Sequence, residues 1–275
     1  MERVSFWKKT VTYLLLGIGA IVSFFPFYWM TISSFKPKGD MFKFPPDLIP
    51  LHPTLQNFQF LLTQTSFARN LLNSLFIAAC FTILSVFFCS LGGYAFAKHE
   101  FPGRNLLFGF MIATMILPFE ITLVPLFLVM TRLGWVNTYQ SVIIPFSANA
   151  WGIFLMRQAL SDVPSELLDA ARIDGASEFQ IYYKVVIHVA KPALGALAIL
   201  MFLQSWNDYL WPLIMLNENA KMTAPVALAL FKMAFYADYA SMTAGSLLSA
   251  LPVIVLFIFL QRYFIQGALF GAVKG

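Results

Sequence analysis

The chain has 275 residues, 59% hydrophobic and only 11% charged, with 30 Phe and 6 Trp, and its mean hydropathy is +0.74. This composition excludes a soluble globular enzyme and describes an integral membrane protein, with room for about six spans of ~20 residues each. The net charge of +5 is modest, and membrane topology accounts for it better than nucleic acid does.

Apolar runs place the expected spans at about 11–32, 70–96, 106–130, 140–156, 192–215 and 240–261, so the fold class reads as an all-α polytopic membrane protein forming one transmembrane domain over 1–275. The opening MERVSFWKK resembles the start of a signal peptide, but the run continues past Pro26 without a small-x-small cleavage site, which reads as a retained anchor. With the N-terminus inside, cytoplasmic segments hold 11 Lys and Arg and external segments hold 7. That excess places both termini in the cytoplasm.

The first external loop, Lys36 to Arg69, has five prolines within 37–53, which favours extended, turn-rich backbone. It reads as a spacer or as a docking surface for something outside the membrane. Cys80 and Cys89 are nine residues apart in the second run, or ~13 Å along a helix. That is too far for a disulfide, so they read as packing residues. The last external loop, Asn217–Asp238, is expected to open a short helix at Thr223–Pro225. Ser241, Gly245 and Ser249 put small residues on one face of the final run, where helix backbones can approach closely.

One segment breaks the apolar pattern. Between Arg157 and Pro192 lie four basic and five acidic residues, which cannot sit in hydrocarbon, so this is a surface element between two spans. Pro164 suits a first helical turn, and Asp162 and Glu166 put negative charge near the positive end of that helix. Leu167, Leu168, Ala170, Ala171 and Ile173 supply a compact face. Gly175 fits the left-handed position that ends helices, and Ser177 with Gln180 is a capping-box pattern for a second helix. In that helix Phe179, Tyr182, Tyr183, Val186, Ile187 and Ala190 form one stripe, and Lys184, His188 and Lys191 another. The residues alone fit either a structural surface hairpin or a docking knob.

Polar groups inside the runs are candidates for a substrate path. Asp208 lies sixteen residues after Pro192, ~24 Å up a helix in a core of ~30 Å. Asn207 and Asp208 sit among Trp206, Tyr209 and Trp211, so they belong either to an interfacial belt or to a polar lining. Glu120 stands between Pro118 and Pro125 at a place where a carboxylate is a site hypothesis by default. Asn149 is either a sugar-facing amide or a helix–helix hydrogen bond.

The pattern Asp169-Ala170-Ala171, three residues, then Gly175 resembles the EAA loop of ABC importer permeases, with Asp in place of the usual Glu. SSFKP at 33–37, NSLFIA at 73–78, LPFEITLVPLF at 117–127, ARIDGAS at 171–177, WNDYLWPLI at 206–214, QRYF at 261–264 and GAVKG at 271–275 are similar to the maltose-type carbohydrate importers. The match is to the shorter, MalG-like permease subunit. The family loop has a proline where this chain has His188, and without it the second helix is expected to run unbroken to Lys191.

The resemblance implies a type I importer transmembrane domain that moves a sugar or polyol through the cytoplasmic membrane. It further implies that Glu166, Asp169, Ala170, Ala171, Asp174, Gly175, Ala176 and Ser177 couple to an ATPase subunit, and that Gly271, Ala272, Val273 and Lys274 contact the ATPase pair. The implied partners are a second permease, two ATPase subunits, an extracytoplasmic sugar-binding protein and membrane lipid, with no nucleic acid.

The chain has no G-x-x-x-x-G-K-[ST] phosphate loop, so it is expected to be no enzyme and to carry no cofactor, with ATP and magnesium held by the partner ATPases. Its three histidines, His52, His99 and His188, have no metal-ligand spacing. A secondary carrier and a non-carbohydrate ABC permease are the competing readings.

Overall fold

The computed structural model describes the backbone of residues 6–234 and 238–272. Among the described residues every regular element is helical and no strand occurs. Contacts divide the chain into two compact units, 1–68 with 228–251, and 69–227 with 252–275.

The first unit holds α1 (Phe6–Ser34), α2 (Gln56–Gln64), the end of α13 (Ala224–Ala234) and the first part of α14 (Tyr239–Ala272). The apolar window of α1 is wholly exposed within the chain, as expected of a helix that faces lipid or another subunit. Asn57, only 1% exposed, donates its amide to the Ser34 and Lys36 carbonyls at 2.9 and 2.8 Å. It thereby satisfies an acceptor that the end of α1 leaves open. Gly245 on α14 is a close-approach site, since a Cβ there would stand 2.5 Å from the Leu228 side chain. Ser241 is fully buried and donates to Asp238 at 2.8 Å.

The second unit is built on α3 (Phe67–Lys98), which crosses α7 (Ala150–Ser161) at very short range. A Cβ on Gly93 would sit 2.4 Å from Met156 Cβ and 2.8 Å from the Arg157 backbone nitrogen, and one on Gly152 would sit 2.7 Å from Cys89 Sγ. Only glycine permits this approach. Cys89 is buried and Cys80 half-buried, both as free thiols. Around the crossing, Phe81, Cys89 and Tyr94 of α3 and Met156 and Leu160 of α7 share one core with Leu197 and Met201 of α11 (Lys191–Asn207).

Among the described residues three helices are long and apolar enough to cross a membrane unaided, Trp7–Ser34, Phe67–Lys98 and Tyr239–Phe259, and counting each of two bent pairs as one span gives up to five. The other expected runs are interrupted, and proline is the cause in each. The run at 106–130 divides into α4 (Arg104–Thr114) and α5 (Phe119–Arg132), bent by 101°. Pro118 offers no N–H to Thr114 four residues earlier. The run expected at 140–156 is not one helix; α6 (Gln140–Ile143) stops, and α7 begins only at Ala150. Pro145 leaves the Ser141 carbonyl without its helical donor, and the Trp211 indole N–H fills that role at 2.9 Å. The run at 192–215 is α11 followed by α12 (Leu210–Met215), where Pro212 would clash with the Asp208 carbonyl in a continuous helix.

Replacing Gly93 with Ala should therefore destabilise the protein by about 1–3 kcal/mol, the usual penalty of overpacking. Gly109→Ala, where a Cβ meets nothing within 4 Å, should be neutral or stabilising by up to ~1 kcal/mol. Thermal unfolding of the two variants in one detergent gives the comparison.

Candidate functional site

The polar segment after α7 folds into two short helices with a sharp corner. The first, α8 (Ser165–Ile173), starts after extended Pro164 (ψ 132°) and carries Glu166 in its first turn and Arg172 in its last. Both charges complement the helix dipole. The left-handed residue is Gly175, at φ +80°. Around it the Asp174, Gly175 and Ala176 N–H groups close back onto the Ala170, Arg172 and Ala171 carbonyls, each at 3.0 Å. Ser177 then caps α9 (Glu178–Ile181) in a complete capping box: the Gln180 N–H donates to Ser177 Oγ, and the Ser177 N–H to Gln180 Oε1.

One residue seats this elbow on the protein. Leu168 is 2% exposed and lies in the core with Met156, Leu160, Ile181 and Tyr182, where half-buried Ala171 and Ala176 also pack. The opposite side is open: Glu166, Asp169, Ala170, Asp174, Gly175 and Ser177 are exposed. So are Leu167 at 47%, Ile173 at 86% and Phe179 at 64%.

Arg172 ties the corner together, bonding Asp169 at 2.7 Å and Glu178 at 2.7 Å. Behind Glu178 stand the Tyr94 hydroxyl at 3.2 Å and His99 Nε2 at 3.6 Å. Bonding from the Arg172 guanidinium holds the Glu178 carboxyl below the usual carboxylate range, and the hydrogen bond from the Tyr94 hydroxyl acts in the same direction. The Arg172 guanidinium is stabilised in turn, by Glu178 first and Asp169 second. Exposed pairs of this kind contribute only about 0.2–1 kcal/mol each, so they set the angle of the corner more than its stability. Sequence reasoning missed this cluster. Its one signal was a base in the last turn of one helix facing an acid in the first turn of the next.

The second helix differs from its expected stripe. A π-turn at Tyr182–Val186 continues α9 into α10 (Ile187–Val189), and the chain then bends by 83° into α11. The wide turn buries Tyr182, Val186 and Ala190 while leaving Phe179 and Tyr183 exposed. Tyr182 Oη lies 2.7 Å from Ser90 Oγ on α3. The helix ends at Val189, two residues short of Lys191.

The three broken runs meet in one aromatic cluster, and the substrate-path candidates are not brought into contact with one another. Phe119, Phe146 and Trp211 each sit in or beside one break, and their rings pack edge to face with centroids 5.7–6.0 Å apart. Irregular backbone at membrane depth persists only when buried in protein or lining a wet cavity. Glu120 is exposed in the first turn of α5. Asp208 stands immediately before Tyr209, the residue that precedes α12, and its N–H donates to the Ser205 carbonyl at 3.4 Å. Asn207 donates to the Leu203 carbonyl of its own helix at 2.9 Å. Asn149 uses both ends of its amide inside the protein, capping α7 through the Gly152 N–H at 2.7 Å and donating to Met201 Sδ at 3.2 Å. Among the described residues, no group of His, Cys, Asp or Glu could hold a metal ion. Gly271 and Ala272 end α14, while Val273 and Lys274 lie outside the described residues.

A depressed carboxylate pKa adds stability that is complete above the unfolded value and lost as pH falls through the folded one. Acidification below the ordinary Glu range should therefore loosen residues 165–181 in the native chain. Arg172→Met should start less protected and lose less over that window. Amide exchange of the segment against pH, corrected for the intrinsic rate, reads both effects.

Residues 89–270 match the family model described as "Binding-protein-dependent transport system inner membrane component". The chain is 38% identical to the arabinooligosaccharides transport system permease protein AraQ of Halalkalibacterium halodurans, over 98% of this chain and 96% of the relative. It is 33% identical to the trehalose/maltose transport system permease protein MalG of Thermococcus litoralis, over 98% and 99%. Its structure superposes on a chain of a bacterial ABC transporter involved in the import of the acidic polysaccharide alginate, with TM-score 0.84 and 26% identity over 96% of this chain and 100% of the other. The chain belongs to the family of inner membrane components of binding-protein-dependent transport systems.

Proposed function

We propose that this chain is one permease subunit of an ATP-driven carbohydrate importer, coupled to its ATPase through the α8–α9 elbow. The carrying observation is that Ile173 and Phe179 protrude at 86% and 64% exposure while Leu168, five residues before Ile173, is fixed in the core at 2%. A large apolar surface held out of the membrane on a rigid base needs a protein to cover it. The partner in this reading is an ATPase subunit, which would bind ATP and magnesium. A second permease and an extracytoplasmic binding protein complete the assembly, and both termini of this chain lie in the cytoplasm. A secondary carrier needs no such surface, and family membership disfavours it.

ATP binding would draw two ATPases together and move the docked elbow. Because α8, α9 and α7 share one core with α11, that movement is passed to the helices of the second unit. ATP can drive the switch only by favouring one of the two states. The sugar would pass beside the Phe119–Phe146–Trp211 cluster, where aromatic faces can stack on sugar rings and where Glu120 and Asp208 stand nearby in sequence. Its named relatives make an arabino-oligosaccharide the first carbohydrate to test.

Purification of the tagged chain from its native membrane in mild detergent should bring down an ATPase and a second permease. Recovery of the chain alone across several detergents would overturn the reading. Gly175 needs φ +80° and proline is locked near −65°, so Gly175→Pro should lower uptake at least tenfold at unchanged membrane level, with ATP hydrolysis no longer tied to transport. Normal uptake would remove the elbow from the mechanism. For the path, Glu120→Gln and Asp208→Asn should alter transport KM or rate in reconstituted vesicles, and unchanged kinetics in both would place the path elsewhere.

A further inference from the structure

The loop between α1 and α2 carries an apolar tip that the import reading does not use. Phe44 is 93% exposed, Phe42 75%, Ile49 71% and Leu48 60%. Two hydrogen bonds fix the tip's depth. Tyr28 Oη donates to the Leu48 carbonyl at 2.6 Å, and Lys36 Nζ to the Asp47 carbonyl at 2.7 Å. Tyr28 lies six residues before Ser34, the last residue of α1, or ~9 Å down the helix axis. The loop therefore folds back beside the last turns of α1 instead of rising away from it.

With 29 residues, α1 is ~43 Å long, close to the ~40–45 Å of a bilayer with its headgroups. Its last turns fall in the interfacial layer, where Tyr and Trp collect, and Tyr28 and Trp29 stand there. Charge does not oppose entry of the tip. The only ionisable residues between 42 and 51, Lys43 and Asp47, pair with each other at 3.0 Å. Lys36 is withdrawn, 2% exposed and 4.5 Å over the Trp29 ring. Pro45, Pro46 and Pro50 also remove backbone N–H donors that lipid could not satisfy. The base of the loop is held within the same unit by the Lys38–Asp238 pair at 2.6 Å and by the edge contact of Phe42 with Tyr239 at 5.1 Å.

We propose that residues 42–51 are an interfacial lipid anchor, with Phe44 and Ile49 inserted below the headgroups of the leaflet at the C-terminal end of α1. The occupant of this surface is lipid, and neither a soluble binding protein nor the second permease. The test is nitroxide labelling of Phe44→Cys and, separately, Ile49→Cys in the full chain with its co-purified partners. The assembly is held in nanodiscs of phosphatidylethanolamine and phosphatidylglycerol, with the unsubstituted chain as background for Cys80 and Cys89. Power saturation should show both labels relaxed more by oxygen than by a water-soluble nickel chelate. Stronger relaxation by nickel would place the tip in water, and protection from both reagents would place it under protein; either result overturns the proposal. The readout is independent of transport, so it stands or falls apart from the import reading.

Discussion

The crossing of α3 over α7 fixes where everything else in the second unit can lie. With no side chain at Gly93 the α3 backbone lies against the backbone of Met156 and Arg157, and the lack of one at Gly152 leaves room for the Cys89 side chain. Lipid tails are as apolar as leucine, so close packing of this kind, and not hydrophobic exclusion, is what binds helices within a bilayer. The consequence runs directly along the chain. Met156 and Leu160, set by that contact, form the floor on which Leu168 rests. The exposed corner of α8 and α9 is thus only a few residues removed from that crossing.

The broken runs obey a second constraint. Each proline removes a backbone donor at a depth where water is scarce, so each orphaned carbonyl needs another partner. Trp211 serves Ser141 in this way, and Asn149 caps the helix that resumes after one of the breaks. The same residues that hold the irregular backbone also bring Phe119, Phe146 and Trp211 together. The three breaks share one aromatic cluster, and it is there that we propose the helices pivot and a sugar meets ring faces.

Local signals in the sequence carried the elbow well. Gly175 and the capping pair Ser177 and Gln180 each depend on the chemistry of a few adjacent residues. Longer-range features were hidden. Hydropathy averages over a window, so 140–156 scored as one run although Pro145 stops the helix and Asn149 restarts it. The stripe from Phe179 to Ala190 was read at 3.6 residues per turn, whereas the π-turn widens the spacing and turns Tyr183 outward. Asn149 looked equally able to face a sugar or a helix, and only its contacts with Gly152 and Met201 reveal that its amide is engaged inside the protein. The Arg172–Glu178 pair joins two helices across a turn whose angle no single residue encodes.

The central claim is that the open face of the α8–α9 elbow meets an ATPase. A photoreactive amino acid at Ile173, the most exposed apolar position of the elbow at 86%, tests it in intact cells. Docking of the elbow on an ATPase predicts a single crosslinked product with a nucleotide-binding subunit, whose yield changes when ATP hydrolysis is blocked. A crosslink to lipid alone, or to the same proteins captured from the exposed apolar face of α1 at a position such as Ile21, would contradict it.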